Sequence, residues 1–269
     1  MKLDGFKMHI QKHIDDGALW LTLSNPEKMN CLGLAEYNGL ADAIIEASAD
    51  DTLDVIAITG SGRAFCTGGN LKEIQTEQAK GALPGRLVIQ RFADASLRLF
   101  QAMESTPKTV VAVVNGYCHA GGLSIVLSAD ISIASDRADF CVPEGKVGLA
   151  DPYAPLRLAR AVGLPTARWM MYTAERLSAV GALDISLVNR VVPHDLITQE
   201  AQSLVRQIQK TAPTSRAIYK NCLNSDLPAF SRDAMISANA SPDAVEGLKA
   251  FVERRNPVWP SLRGHAETS

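Results

Sequence analysis

The sequence predicts an α/β protein with a mostly parallel sheet, on the strength of two patterns. Short apolar runs rich in β-branched residues, Val55–Thr59 and Val110–Val114, are typical of buried strands. They alternate with Ala35–Ala47 and Arg91–Met103, where apolar residues recur at helical spacing. Strands that alternate with helices favour an α/β architecture. From about Asp195 onward only helical patterns remain, so we expect a change of architecture there.

The remaining elements follow in chain order. Met8–Ile14 and Ala18–Leu23 flank an Asp-Asp-Gly turn and predict a β-hairpin. Gly60–Gly69 is rich in glycine and is predicted to be a loop. Further strands are predicted at Ile131–Ala134 and Phe140–Val142, and C-terminal helices at Leu196–Lys210, Ser215–Leu223, Ala229–Ala238 and Asp243–Arg254. We therefore predict a core domain over residues 1–193 and a helical region over residues 194–269.

The composition narrows the class of protein. A chain of 269 residues with 46% apolar content can bury a full core as one large domain or as one domain plus an appendage. The formal net charge of −2 gives no electrostatic reason to expect nucleic acid or an anionic membrane as a partner. The five cysteines are odd in number and have no metal-ligand spacing, which indicates free thiols and no metal. With no apolar leader or membrane-length run, we expect a cytoplasmic protein.

The most informative stretch is Asn115–Glu144, NGYCHAGGLSIVLSADISIASDRADFCVPE. After the strand at Val110–Val114, glycine interrupts the pattern at Gly116 and again at Gly121 and Gly122. A helix with apolar residues at helical spacing is predicted to begin at this glycine pair. Glycines at the N-terminus of a helix let a ligand approach the backbone, and the free N–H groups there favour negative charge. The stretch ends on a lone carboxylate between apolar neighbours. A backbone oxyanion site with one such carboxyl suits enolate chemistry.

Three blocks carry a family resemblance: SGRAFCTGGNLKEI at Ser61–Ile74, NGYCHAGGLSIVLSADI at Asn115–Ile131, and Phe140–Gly163. In their joint order and spacing they resemble the enoyl-CoA hydratase/isomerase, or crotonase, family over about Trp20–Trp259. The resemblance implies a crotonase-type spiral of ββα units with a helical C-terminal trimerisation region, assembled as a homotrimer or hexamer. It also implies an acyl-CoA substrate and no cofactor, since coenzyme A is part of the substrate.

By this resemblance, Thr67 and Gly121 match the two oxyanion positions, which act through backbone N–H groups. The alternative is that the glycines beside them serve only turns and packing.

Glu144 matches the second of the two catalytic glutamates of hydratases and the single one of Δ3,Δ2-enoyl-CoA isomerases. An apolar pocket should raise its pKa and suit it to proton transfer near neutral pH. The alternative is a surface carboxylate in a loop.

Ser124 is the departure from the family pattern, because it stands where hydratases have their first catalytic glutamate. Serine cannot act as a general base near neutral pH without activation, yet it can orient a water or a substrate group. The alternative is a structural serine whose hydroxyl donates a hydrogen bond to a carbonyl of its own helix.

Asp151 is a possible second carboxylate, since dienoyl-CoA isomerases carry an extra aspartate near this point. We favour a helix cap there, with Asp151 capping and Pro152 as the first helical residue.

The resemblance also suggests residues for the coenzyme A portion. Lys28 and Lys72 match positions near the nucleotide, where ammonium groups meet phosphates, although solvated surface charges would look the same. Ala64 lies in the segment that contacts adenine through its backbone. Phe251 matches a C-terminal aromatic that contacts coenzyme A from the neighbouring subunit. His119, just before the oxyanion glycine, either lines the pocket or is structural.

The sequence thus predicts an enzyme of this family with Glu144 as its single acid/base. One glutamate favours double-bond isomerisation, because one base can remove and return the same proton. A hydratase of the enoyl-CoA or hydroxycinnamoyl-CoA type, using Ser124 and bound water, is the close alternative. A crotonase-fold binding or scaffold protein with little catalysis is the alternative of another class. A dinucleotide-dependent oxidoreductase is poorly supported, because no GxGxxG opens a helix after the first strand.

Overall fold

The structure is a computed structural model that describes residues 9–229 and 231–260. Its strands are β1 Ile10–Asp15, β2 Ala18–Leu23, β3 Val55–Gly60, β4 Ala64–Cys66, β5 Thr109–Val114, β6 Tyr117–His119, β7 Ile131–Ser135, β8 Asp139–Cys141, β9 Leu177–Ser178 and β10 Arg190–Val192. Its helices are α1 Leu34–Ser48, α2 Leu71–Ala79, α3 Gly85–Ser105, α4 Gly121–Ser128, α5 Tyr153–Val162, α6 Leu164–Thr173, α7 Ala179–Asp184, α8 Ile197–Gln209, α9 Pro213–Asn224, α10 Arg232–Asn239 and α11 Pro242–Val252. The predicted start of the first strand at Met8 lies outside the described residues.

The strands form two sheets. The larger has the order β1-β2-β3-β5-β7-β10, and the smaller has the order β4-β6-β8-β9. All described pairings are parallel except β1 with β2 and β8 with β9. Three times in succession, a strand of the larger sheet is followed by a strand of the smaller sheet and then by a helix. This repeated ββα unit confirms the predicted α/β spiral.

Both faces of the larger sheet are buried along its central strands β3 and β5, as expected for parallel strands with helices on each side, whereas the edge strand β1 is mostly exposed. Because side chains alternate along a strand, Ile56 and Ile58 of β3 face one way and Val55 and Ala57 the other. The first pair joins the main core with residues of α1 and α3. The second pair packs with apolar residues of α8. This sandwich fixes the ends of the strands, from which the loops of the site extend.

Of the smaller sheet, only β8 was predicted, as the strand Phe140–Val142. The structure places β4 inside the predicted loop at Gly60–Gly69, and places β6 within the turn after Val114. Strands β4 and β6 have only three residues each and are too short to show a period of two, which is why the sequence showed only the glycines around them. The α3 helix also begins at Gly85, six residues before the predicted Arg91. After Val192 the described residues form helices and loops, whereas the division into two domains stays a prediction.

Membrane spans and metal clusters are both absent from the part of the chain that the structure describes. No described helix is long and apolar enough to cross a membrane. No group of three or more histidine, cysteine, aspartate or glutamate side chains within residues 9–229 and 231–260 could hold a metal ion.

Candidate active site

A cavity of about 500 Å³ lies where α1, the loop after β4, the start of α4 and the turn after β8 meet. Helices α2, α3, α10 and α11 close its other sides. Its apolar wall includes Leu71, Ile74, Phe92, Phe100, Val147 and Leu149. Its polar groups include Tyr37, His119, Glu144 and Asp151. An apolar cavity with a few converging polar groups is the usual form of a small-molecule site.

The predicted oxyanion residues lie on two backbone segments that touch. Thr67 follows directly on β4, and Gly121 is the first residue of α4, so its N–H has no partner within that helix. Gly68 connects them: a Cβ built there would lie 3.0 Å from the Gly121 nitrogen. Both Thr67 and Gly121 line the cavity. The segments thus form a backbone recess at a helix N-terminus, where negative charge is favoured.

The backbone at three residues has the special conformation or close packing that shapes this recess. Gly68 has φ of +90°, and Ala120, directly before α4, has φ of +52°. The positive φ of Ala120 is a conformation that residues other than glycine rarely adopt, and such strain concentrates at functional sites. Gly122 allows close packing, because a Cβ there would overlap the Cys66 carbonyl oxygen of β4. The helix can therefore approach the strand closely only with glycine at this position.

Glu144 begins a short 3-10 helix, Glu144–Val147, that follows Pro143. Its carboxyl oxygen Oε2 is shielded from solvent and has no hydrogen-bond partner among the described residues. Burial, and next the negative charge of Asp151, raise the pKa of the Glu144 carboxyl to about 8. A carboxyl in this state can accept and return a proton near neutral pH. The predicted surface alternative does not fit this burial.

Asp151 is both a cap and a cavity residue. Its Oδ1 accepts a hydrogen bond of 2.9 Å from the Tyr153 N–H at the start of α5, and its Oδ2 accepts one of 2.9 Å from Ser124 Oγ. Burial raises the pKa of the Asp151 carboxyl, and the bonds from Tyr153 and Ser124 oppose that rise. Pro152 precedes α5 and is not its first residue, which corrects the predicted cap geometry. Ser124, fully buried, donates to Asp151 and not to a helix carbonyl.

Of the four residues predicted to bind coenzyme A, two line the cavity and two do not. Lys72 and Phe251 line the cavity, and Phe251 is 59% exposed. Phe251 thus lies at its own chain's cavity, whereas the resemblance implied contact across subunits. Lys28 is exposed on the 3-10 helix Pro26–Lys28. Ala64 is buried in β4, and its carbonyl oxygen accepts hydrogen bonds from the side-chain amides of two asparagines. The carbonyl of Ala64 is therefore engaged within the fold.

His119 lies at the rim of the cavity in a polar cluster. Its Nε2 pairs with the Asp139 carboxylate, which also lies 3.4 Å from the Arg176 guanidinium. The Arg176 guanidinium in turn lies over the Tyr117 ring. His119 thus lines the pocket and is held by a carboxylate, which combines the two roles that the sequence left open.

Sequence reasoning missed Tyr37, a residue that is 5% exposed and lines the cavity beside the recess. A Cβ built on Gly121 would lie 2.9 Å from the Tyr37 hydroxyl oxygen. The only available signal was its place on the apolar face of α1, shared with Leu40 and Ile44, which indicates a core residue. Met235 and Asn239 of α10 were missed as well, since only the fold brings them to the cavity.

Comparison with known proteins agrees with this geometry. The family model described as enoyl-CoA hydratase/isomerase matches residues 13–262. The chain therefore belongs to the enoyl-CoA hydratase/isomerase family, which confirms the resemblance seen in the sequence. It is 33% identical over 251 residues to the human enoyl-CoA hydratase domain-containing protein 3, mitochondrial, covering 91% of this chain and 81% of that protein.

Solved structures are similar too. An enoyl-CoA hydratase from Mycobacterium avium subsp. paratuberculosis is 30% identical, with a TM-score of 0.78 over 93% of this chain and 98% of that one. The crystal structure of human enoyl-CoA hydratase domain-containing protein 3 is 32% identical, with a TM-score of 0.75 over 93% of this chain and 100% of that one. The likeness to these structures extends over 93% of the chain, and the family match over residues 13–262 includes every segment that forms the cavity.

Proposed function

We propose that this protein is an acyl-CoA enzyme that isomerises a double bond through an enolate, with Glu144 as its single acid/base. The observation that carries the proposal is the Glu144 carboxyl, whose Oε2 is shielded and unpartnered among the described residues, in the same cavity as the recess formed by Thr67 and Gly121. Membership of the enoyl-CoA hydratase/isomerase family supports it.

In the proposed reaction, the thioester oxygen of a 3-enoyl-CoA accepts hydrogen bonds from the Thr67 and Gly121 N–H groups. The Glu144 carboxylate removes a proton from the α-carbon, and the C–H electron pair moves toward the thioester, whose oxygen becomes the enolate oxyanion. The electrons then return through the double bond, and Glu144 delivers its proton to the γ-carbon. Each oxyanion donor is typically worth about 2.7–4 kcal/mol in such a transition state.

The substrate's coenzyme A is proposed to lie toward Lys28 and Lys72, with Phe251 at the cavity edge and the backbone near Ala64 close to adenine. Lys72 and Phe251 line the cavity and support this orientation. No separate cofactor enters the proposal. A cytoplasmic location stays a prediction from the sequence, and the name of the human relative places that protein in mitochondria.

Hydration is the second candidate, and a specific contact favours it. Ser124 Oγ donates a hydrogen bond to Asp151 Oδ2. Asp151 thereby places a carboxylate beside the position where hydratases of the family have their first catalytic glutamate. The charge of Asp151 acts on Glu144 directly, since it contributes to the raised pKa of Glu144. Two carboxyls in one cavity could activate a water and protonate the α-carbon. In this mode Ser124 and Asp151 would orient the water.

A panel of 2-enoyl-, 3-enoyl- and aromatic enoyl-CoAs tests the proposal. Products are separated by chromatography and identified by mass, so that an isomer and a hydrated product are told apart. We expect 3-enoyl-CoA to be converted to the 2-enoyl isomer. Water addition alone would establish the second candidate. Thermal stabilisation by acyl-CoA without any turnover would indicate a binding or scaffold protein.

The pH dependence of kcat/KM should reflect Glu144. Because the pKa of its carboxyl is raised to about 8, the group is mostly protonated and inactive as a base at pH 7. Activity should therefore rise about tenfold per pH unit below the pKa and level off above it. Initial rates across the range from mildly acidic to mildly alkaline pH, at low substrate concentration, measure this. A flat profile, or one that falls with rising pH, would contradict the role of Glu144 as base.

Ser124 should matter less than Glu144 in isomerisation. Ser124→Ala removes one hydrogen bond to a carboxylate, worth about 1.5–3 kcal/mol if the bond acted on the transition state. Because Asp151 is outside the proposed proton path, we expect a loss in kcat of less than about tenfold. Ser124→Glu places a further carboxyl beside Asp151, disfavours the enolate and should lower isomerisation more. Abolished turnover in Ser124→Ala would instead favour the two-carboxylate hydratase.

The C-terminal helices are proposed to mediate assembly into a homotrimer or hexamer. Helix α11 leaves Val245, Phe251 and Val252 exposed, with Val252 at 60%, and contiguous apolar surface marks interaction sites. Analytical ultracentrifugation should show a trimer or hexamer, and Val252→Asp should shift it toward monomer. The control is Ile14→Asp on β1, since Ile14 is equally exposed at 59%. A wild-type monomer at micromolar concentration would contradict the proposal.

A further inference from the structure

The Tyr37 side chain is buried yet ends at the reaction cavity. Its ring lies on the inner face of α1, packed in the main core, and only 5% of the residue is exposed. Tyr37 is nevertheless among the residues that line the cavity. The hydroxyl makes no hydrogen bond to any side chain or backbone group within the described residues. A buried phenol normally has a partner for its O–H, so this one is available to a ligand.

The hydroxyl is also close to both glycine segments of the recess. A Cβ on Gly121 would lie 2.9 Å from the Tyr37 oxygen, and a Cβ on Gly69 would lie 3.8 Å from it. The oxygen thus lies between the loop after β4 and the first residue of α4. These are the segments that carry the Thr67 and Gly121 N–H groups, at which an oxyanion would bind.

The electrostatic surroundings keep this hydroxyl a donor. Burial raises the pKa of Tyr37 well above its usual value, and the nearby thiol of Cys66 and the carboxyls of Asp151 and Glu144 raise it further. The phenol therefore keeps its proton throughout the working pH range. A neutral O–H beside a forming oxyanion donates a charge-assisted hydrogen bond, which strengthens as negative charge develops.

We propose that the Tyr37 hydroxyl is a third oxyanion donor, which hydrogen-bonds the thioester oxygen of the substrate alongside the two backbone N–H groups. The inference rests on the proposed function, because it needs an enolate at this site. Tyr37 forms no bond to the substrate other than this hydrogen bond, and the proton moves only between the substrate carbons and Glu144. Tyr37 would then favour acyl-CoAs whose reaction concentrates charge on the thioester oxygen.

The test uses acetoacetyl-CoA, which ionises to an enolate that absorbs in the ultraviolet. The apparent pKa of the bound ligand, measured by pH titration of that absorbance, reports oxyanion stabilisation without requiring turnover. Wild type should lower this pKa relative to the free ligand. Tyr37→Phe should raise the bound pKa by about one to two units, since a hydrogen bond to a charged group is worth about 1.5–3 kcal/mol. The kcat for a 3-enoyl-CoA should fall about ten- to a hundredfold, with KM changed by less than about threefold.

Tyr172→Phe is the matched control, because it removes a phenol hydroxyl that is 83% exposed and outside the cavity. The thermal midpoint of Tyr37→Phe checks its folding, and phenylalanine keeps the buried ring. Equal ionisation of acetoacetyl-CoA by wild type and Tyr37→Phe would overturn the role of Tyr37 and leave the proposed function standing. Failure of the wild type to ionise the ligand at all would overturn both.

Discussion

Replacing Glu144 with glutamine should lower kcat for isomerisation of a 3-enoyl-CoA by about 10²- to 10⁴-fold, the usual scale of general acid–base catalysis. Glutamine has nearly the same shape but cannot accept the α-proton. Because Glu144 Oε2 has no hydrogen-bond partner among the described residues, the substitution breaks no bond of that atom. Substrate binding should therefore change little, so that kcat and kcat/KM fall together.

The control is Glu27→Gln, an exposed glutamate of the 3-10 helix Pro26–Lys28, which should keep wild-type kinetics. Steady-state rates and thermal stabilisation by the acyl-CoA are measured for both variants. Stabilisation without turnover in Glu144→Gln separates chemistry from binding. Wild-type turnover in that variant would show that another group moves the proton.

Replacing Gly68 with alanine should cause the second large loss. A Cβ at this position would lie 2.5 Å from the Ala120 Cβ and 3.0 Å from the Gly121 nitrogen, so the start of α4 must shift. In the proposed mechanism, the Gly121 N–H would then no longer point at the thioester oxygen. The loss of one oxyanion donor typically lowers kcat by about 10²- to 10³-fold, which is the effect we expect in steady-state kinetics.

Gly81→Ala is the control for the backbone conformation itself. Gly81 has φ of +65°, yet a Cβ there would have nothing within 4 Å. It therefore carries the strain of a left-handed alanine without the collision, and should change stability more than kcat. If Gly81→Ala and Gly68→Ala lowered kcat equally, backbone strain alone would explain the effect. Displacement of the Gly121 N–H would then not be needed to explain it.

The sequence predicted the elements whose side-chain pattern repeats. The helix at Ala35–Ala47 and the strand at Val110–Val114 lie within one residue of the observed bounds at each end. The family resemblance supplied the spiral and the candidate site residues. Residues with a distinctive local context, such as Glu144 and Gly121, could be selected from the sequence alone. The fold brings them, with Thr67 and Asp151, to one cavity.

What the sequence could not supply depends on distances between elements far apart in the chain. Strand β4 has only three residues, and its partner β6 lies about fifty residues later, so no local period reveals them. Tyr37 has the pattern of a core residue, and only the fold places its hydroxyl beside Gly121. The hydrogen bond from Ser124 to Asp151 joins residues 27 positions apart. Such pairings arise from packing and leave no signal in either segment.

The most direct test of this mechanism follows a deuterium label from the α-carbon of the substrate. Wild type and Glu144→Gln are incubated in ordinary water with a 3-enoyl-CoA that is deuterated at the α-carbon, and the position of deuterium in the product is measured by tandem mass spectrometry. We predict that wild type forms the 2-enoyl isomer with deuterium at the γ-carbon, because Glu144 removes and returns the same proton, and that Glu144→Gln does so about 10²- to 10⁴-fold more slowly. Transfer of the label at the wild-type rate in Glu144→Gln would contradict Glu144 as the base that forms the enolate.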